Sequence, residues 1–238
     1  MNSLIPIQNR FALQISDKIK SHLDHEVTKA MSRPCLTVVS KTQGGVGADI
    51  LVSILVWAFE RSGIRPAVFQ AGGTKGLLCE THDPNLFVRA RLEDPALDEK
   101  LASFIGNNLQ KSAVAMLDPS VNGKAHDIIW SIVEAQAAID IRIIHLVRAP
   151  GDKANFAVAA NEIGIPTTIA MLEPVFIDDD DDFSNVLLIP RLPDKMVRAM
   201  MGNQLSFRQV LEQADFGSAS ILASKLKRFF EALGAFYG

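Results

Sequence analysis

Residues 38–49 read Val38-Val39-Ser40-Lys41-Thr42-Gln43-Gly44-Gly45-Val46-Gly47-Ala48-Asp49. The stretch follows the apolar run Cys35-Leu36-Thr37-Val38-Val39 and leads into a helix-like run over residues 50–61, so strand, glycine turn and helix are expected in that order. Glycines at 44, 45 and 47 let backbone N–H groups turn inward at a helix N-terminus, where the helix dipole favours an anion. The charge-bearing side chains of a phosphate-cradling loop are missing. Ala48 holds the place of its lysine and Asp49 that of its metal-binding Ser or Thr.

Outward from this stretch the chain alternates between two periodicities. Apolar runs at residues 66–71, 113–117, 141–147, 167–172 and 186–189 have the length of central strands, and helical patterns are expected over residues 95–109, 125–138, 154–163 and 195–211. Alternating strands and helices predict an α/β fold: a doubly wound, mainly parallel sheet with helices on both faces, in one domain over residues 34–238. In such a sheet the ligand crevice lies outside the carboxyl ends of the strands, which is where the glycine turn falls.

An N-terminal helical extension, residues 1–33, precedes this domain. Phe11, Ile15, Ile19, Leu23, Val27 and Met31 recur every four positions before Arg33-Pro34 breaks the helix. Four-residue spacing drifts around a 3.6-residue helix, so the stripe is expected to wrap over a convex surface, its own domain's or a second subunit's. Near the C-terminus, Ile221, Leu222, Leu226, Phe229, Phe230, Leu233 and Phe236 stand against Lys225, Lys227 and Arg228. That amphipathic basic helix suits either packing on the sheet or a membrane interface.

With 48% apolar and 21% charged residues in 238, the chain has an ordinary globular composition. A net charge of −3 and a pI near 6.0 give no general attraction for nucleic acid. Cys35 and Cys79 form neither a disulfide framework nor a metal spacing, which fits reduced thiols in a cytoplasmic protein. His82, His126 and His145 lack Cys or Glu at ligand spacing. No run approaches the roughly 18 apolar residues of a membrane span, and no basic region precedes an apolar core at the N-terminus, so a cytoplasmic location is expected. The aspartates from Asp178 to Asp182 lack the glycine of a calcium loop and read as a solvated turn.

Three separated motifs together resemble the MinD/ParA family of P-loop ATPases. The stretch quoted above aligns without a gap to that family's deviant Walker A loop, which reads lysine, two glycines, any residue, glycine, a second lysine, then Thr or Ser. Leu117-Asp118-Pro119-Ser120-Val121-Asn122-Gly123 is similar to the family's second switch, and residues 187–207 (LLIPRLPDKMVRAMMGNQLSF) to its late strand, Ile-Pro, acidic residue and helix. Motif order is kept across about residues 34–235.

The resemblance implies a nucleotide site at Gly44, Gly45, Val46, Gly47, Ala48 and Asp49, with Asp118 at the metal position. It also exposes departures. Gln43 replaces the signature lysine, Ala48 the phosphate lysine and Asp49 the magnesium-holding hydroxyl; Gln70-Ala71-Gly72-Gly73 stands for an Asp pair, and Leu172-Glu173-Pro174 ends a strand where the family often has Asn for the adenine. ATP or ADP with magnesium is therefore expected to bind weakly or not at all, and no catalytic residue is assigned. The resulting expectation is a pseudo-ATPase acting as a protein-binding scaffold or adaptor in bacterial positioning, plasmid maintenance, conjugation or envelope-machine assembly. One alternative is a divergent ATPase recruiting Lys41, Lys75 or Lys124; another is a regulator held peripherally at the inner membrane by its C-terminal helix. A protein partner and a homodimer through the N-terminal helix belong to the same expectation, and nucleic acid does not.

Overall fold

The computed structural model describes residues 17–32, 34–41, 47–72, 81–91, 94–108, 111–117, 140–149, 164–165, 167–174, 183 and 185–237. Seven strands are described: β1 (Leu36–Lys41), β2 (Ala67–Ala71), β3 (Phe87–Ala90), β4 (Ala113–Leu117), β5 (Ile141–Leu146), β6 (Thr167–Leu172) and β7 (Val186–Ile189). They form one sheet in the order β3-β2-β4-β1-β5-β6-β7, and every pairing is parallel. Every residue of β4 and β5 is buried, as strands covered on both faces require. The doubly wound parallel architecture is thus the one the alternation predicts.

The two faces are covered by different helices. On one lie α1 (Asp17–Ala30), α2 (Ala48–Arg61), α4 (Asp194–Asn203), α5 (Phe207–Gln213) and α6 (Phe216–Tyr237), packed over Val39, Val114, Met116, Ile144 and Leu146. On the other, α3 (Leu97–Asn107) presses Leu101, Phe104 and Ile105 onto Val38, Phe69, Ala115 and Ile143. Val38 and Val39 of β1 point to opposite faces because successive strand side chains alternate.

Two local expectations need correction. The edge strand β3 was not expected: it has four residues, only Ala90 is buried and Val88 is 38% exposed, too little apolar pattern to read. The single helix expected over residues 195–211 is two. Gln204 takes a left-handed conformation (φ 52°), and Ser206 then restarts the chain with a capping box, its hydroxyl accepting from the Gln209 N–H while the Gln209 side chain accepts from the Ser206 N–H at 2.8 Å. The helices expected over residues 125–138 and 154–163 lie outside the described residues.

α2 is closed at its far end by Gly63 at φ 79°, with the Ile64 N–H reaching the Phe59 carbonyl and the Gly63 N–H the Glu60 carbonyl. This is the Schellman arrangement that a glycine makes without steric cost. The apolar residues Leu222, Leu226, Phe229, Phe230 and Leu233 of α6 are buried in the core, so the amphipathic face packs on the domain. Among the described residues no helix is long and apolar enough to cross a membrane.

α1 belongs to the same core. Leu23, Val27 and Met31 are buried with α2 and α6, so the described half of the four-residue stripe lies on its own domain; Phe11 and Ile15 fall outside the described residues. Its C-terminal turn is tied to the sheet by Arg142 of β5, a buried arginine that donates to the Thr37 hydroxyl at 2.9 Å and the Ala30 carbonyl at 3.2 Å and reaches Met31 Sδ at 3.7 Å. A cation at a helix C-terminus also meets the favourable end of the dipole. Replacing Arg142 with Leu should cost about 2–3 kcal/mol in unfolding free energy, the range for losing charged hydrogen bonds at buried partners. Urea denaturation measures it, and a loss under about 0.5 kcal/mol would show that the clamp contributes nothing.

Candidate functional site

The turn between β1 and α2 sits at the carboxyl end of the central strand, flanked by β4 on one side and β5 on the other. Gly47 is the N-cap of α2 at φ 87°, and no side chain caps it. Its carbonyl accepts the first helical bond from the Leu51 N–H at 2.9 Å. A second constraint acts on the same glycine: a methyl group there would lie 2.8–2.9 Å from Cγ, Cδ1 and Cδ2 of Leu172, the last residue of β6. Conformation and close approach both exclude a larger residue.

Ala48 follows, 4% exposed and turned into the core, and Asp49 stands half-buried in the first turn of α2. The dipole stabilises a carboxylate at that place, and the same carboxylate opposes an anion arriving at the helix N-terminus. Gly44, Gly45 and Val46 lie outside the described residues, as do Gln43, Asp118, Lys75 and Lys124. What the described part offers a phosphate is the backbone N–H groups of the helix opening beside a negative side chain. It does not fit the phosphates of a nucleotide as a lysine-bearing loop would.

Around this turn the strand ends bring together residues far apart in sequence. Ser40 Oγ of β1 and His145 Nδ1 of β5, opposite each other in register, are 2.7 Å apart and almost fully buried. Burial holds His145 below the ordinary imidazole pKa, so its neutral form is favoured. Gln70, next to the end of β2, is buried opposite Met116 of β4. Lys41 ends β1 and is half-buried. Neither the Ser40–His145 pair nor the Leu172 contact was readable in advance. The one available signal was a polar residue at the end of two apolar strands, in Val-Val-Ser and Ile-Ile-His. Among the described residues no cluster of His, Cys, Asp or Glu is suited to a metal.

Farther along the same edge of the sheet, Glu173 pairs with Lys225 of α6. A cleft of about 240 Å³ opens there, lined by Val186, Leu188, Pro190, Arg228 and Phe229. A second cleft, of about 570 Å³, lies between the β7–α4 connection and α6, lined by Arg191, Leu192, Pro193 and Ile221.

The chain matches no protein-family model and no curated protein. Among solved structures it is similar to a nucleotide-binding protein in complex with ADP from Archaeoglobus fulgidus, at 11% identity and a TM-score of 0.48, over 82% of this chain and 95% of that one.

Two outcomes follow from this geometry. Gly47→Ala should lose about 1–3 kcal/mol of stability through the left-handed backbone and the Leu172 overlap, and adding Leu172→Ala should recover part of it. Non-additivity in that double-mutant cycle is the measurement; simple addition would separate the two residues. For His145, an unfolded imidazole takes its proton near pH 6.5 while the folded one resists. The unfolded state then binds more protons, so stability is full above about pH 6.5 and falls as the pH drops below it, until the folded imidazole titrates too. Thermal melts from pH 7.5 to 5 should show a shallower decline in His145→Gln than in wild type.

Proposed function

We propose that this chain is a MinD/ParA-like pseudo-ATPase, a degenerate nucleotide-binding domain retained as a protein-binding scaffold or adaptor. The observation that carries the reading is Asp49, whose carboxylate stands in the first turn of α2, two residues after the left-handed Gly47. The motif order in the sequence and the parallel sheet with the glycine turn on its central strand support the fold half of the proposal. Ala48, buried and uncharged, supports the other half.

A unit charge about 4 Å from another contributes roughly 4 kcal/mol at an effective dielectric near 20. Exchanging an attractive lysine for a repulsive carboxylate therefore weakens phosphate binding by several kcal/mol, and each 1.4 kcal/mol is about tenfold. The scaffold's setting would be among bacterial positioning, plasmid maintenance, conjugation or envelope-machine assembly, with the working surface directed at another protein.

Calorimetry with ATP and with ADP, each with magnesium, should give no saturable binding to the wild type below about 1 mM. Asp49→Asn, which removes the repulsion and keeps the shape, should tighten ADP binding at least about tenfold. Micromolar ATP affinity with turnover in the wild type would instead establish a divergent ATPase, with Lys41 the first lysine to test.

A further inference from the structure

The two clefts beside α6 meet at Lys225, which lines both. On the helix side the first adds Arg228, Phe229 and Ala232, and the second Ser218, Ile221 and Leu222. These positions recur every three or four residues, so they form a single face of α6 from Ser218 to Ala232. At 1.5 Å per residue that face is about 21 Å long. The opposite wall is β7, the last strand of the described sheet, continued by the β7–α4 connection: Val186, Leu188 and Pro190 line the first cleft, Leu192 and Pro193 the second. Ile221 is 63% exposed, a large aliphatic group left in water on the lining itself.

Charge is unbalanced where the clefts meet. Glu173 pairs with Lys225, and the Arg191 N–H lies 3.5 Å from the same carboxylate oxygen. Arg191 and Arg228 are exposed on the lining, and among the described residues neither side chain has an acidic partner. Lys195 and Lys227, close by on α4 and α6, are paired with Asp215 and Glu231. Arg191, Lys225 and Arg228 thus stand against Glu173, already held by Lys225, and Asp194, on a chain whose net charge is −3.

An occupant has to bring acids to the two arginines and apolar side chains to the walls. A nucleic-acid backbone supplies the first and nothing for Leu188, Leu192 or Ile221. A membrane surface would call for the apolar stripe of α6, and Leu222, Leu226, Phe229 and Phe230 of that stripe are buried in the core. A peptide supplies both, and about six extended residues span the groove.

We propose that the groove between α6 and β7 with its α4 connection binds an acidic peptide segment of a partner protein, its carboxylates on Arg191 and Arg228 and its aliphatic side chains over Ile221. This names the partner chemistry that the scaffold reading leaves open, and rests on that reading only for the occupant's being a protein.

Selection of a random library of peptides about twelve residues long, displayed on phage, against the full chain without nucleotide tests it. Enriched peptides should combine Asp or Glu with Leu, Ile or Val, and their binding, read by fluorescence anisotropy, should weaken as salt is raised. Arg191→Glu with Arg228→Glu should weaken it at least about tenfold, and the gentler Arg191→Gln with Arg228→Gln should act in the same direction. Ile221→Asp should weaken it too, with circular dichroism melts reporting that each variant folds. No enrichment, enriched peptides without acids, or binding indifferent to the arginine substitutions overturns the proposal. So does co-sedimentation with phosphatidylglycerol vesicles that depends on Arg191 and Arg228 while no peptide is enriched, which would assign the groove to a membrane. With nucleotide absent throughout, a failed selection leaves the calorimetry of the glycine turn as it stands, and tight ATP binding there leaves the peptide result as it stands.

Discussion

The burial of α2 from every side is the constraint on which the rest of this structure depends. Nine consecutive residues, Leu51 to Phe59, are buried, so the helix has no solvent face over two and a half turns. A helix apolar all round must be enclosed. The sheet covers one side; α1, α5 and α6 cover the others, with Trp57 edge-on to Phe207 at 5.7 Å and against Phe230 at 6.4 Å. Beyond that stretch, in its last turn, α2 reaches water, where Arg61 pairs with Asp24 of α1 and stacks over Trp57. Burial of that extent leaves the helix no freedom to slide. Gly47 at its start is therefore placed by the core.

This separates two properties that a phosphate loop normally combines. Backbone geometry comes from glycine and from enclosure of the following helix; anion affinity comes from side-chain charge. Here Gly47 supplies the left-handed geometry, and Asp49 places an acid in the first turn of the helix. Ala48 and Asp49 are residues that suit the opening of a helix. Alanine has the highest helix propensity, and an acid in the first turn adds roughly 0.3–1 kcal/mol through the dipole. Leu172 follows the same logic, filling the space beside Gly47 with an apolar group. Each of these residues suits the local fold at the start of α2.

How much of this was legible depended on the range of the interaction. β1, β2, β4, β5, β6 and β7 and helix α2 were readable because continuous apolar runs report burial locally. β3 was not, since an edge strand with one buried residue leaves almost no pattern. The break between α4 and α5 had a local signal, Ser206 three residues before Gln209, that the longer helical periodicity hid. The site divides in the same way. Glycine spacing and the charge reversal at Asp49 lie within a dozen residues and could be read directly. Ser40 with His145 spans 105 positions, and no periodicity connects residues that meet only because β1 and β5 are neighbours in register.

Arg142 shows the same principle from the energetic side. A buried guanidinium near the start of a strand inside the sheet is costly unless its donors are satisfied, and by sequence alone it interrupts the apolar run of β5. Its partners include Ala30 at the end of α1, Met31 just after it, and Thr37 on the adjacent strand. The arginine and the N-terminal helix therefore depend on each other: without α1, a buried cation loses two of these partners; without Arg142, the last turn of α1 loses its attachment to the sheet. That mutual dependence makes α1 part of the folding unit, which is the physical reason its stripe is buried on this domain as far as the described residues extend.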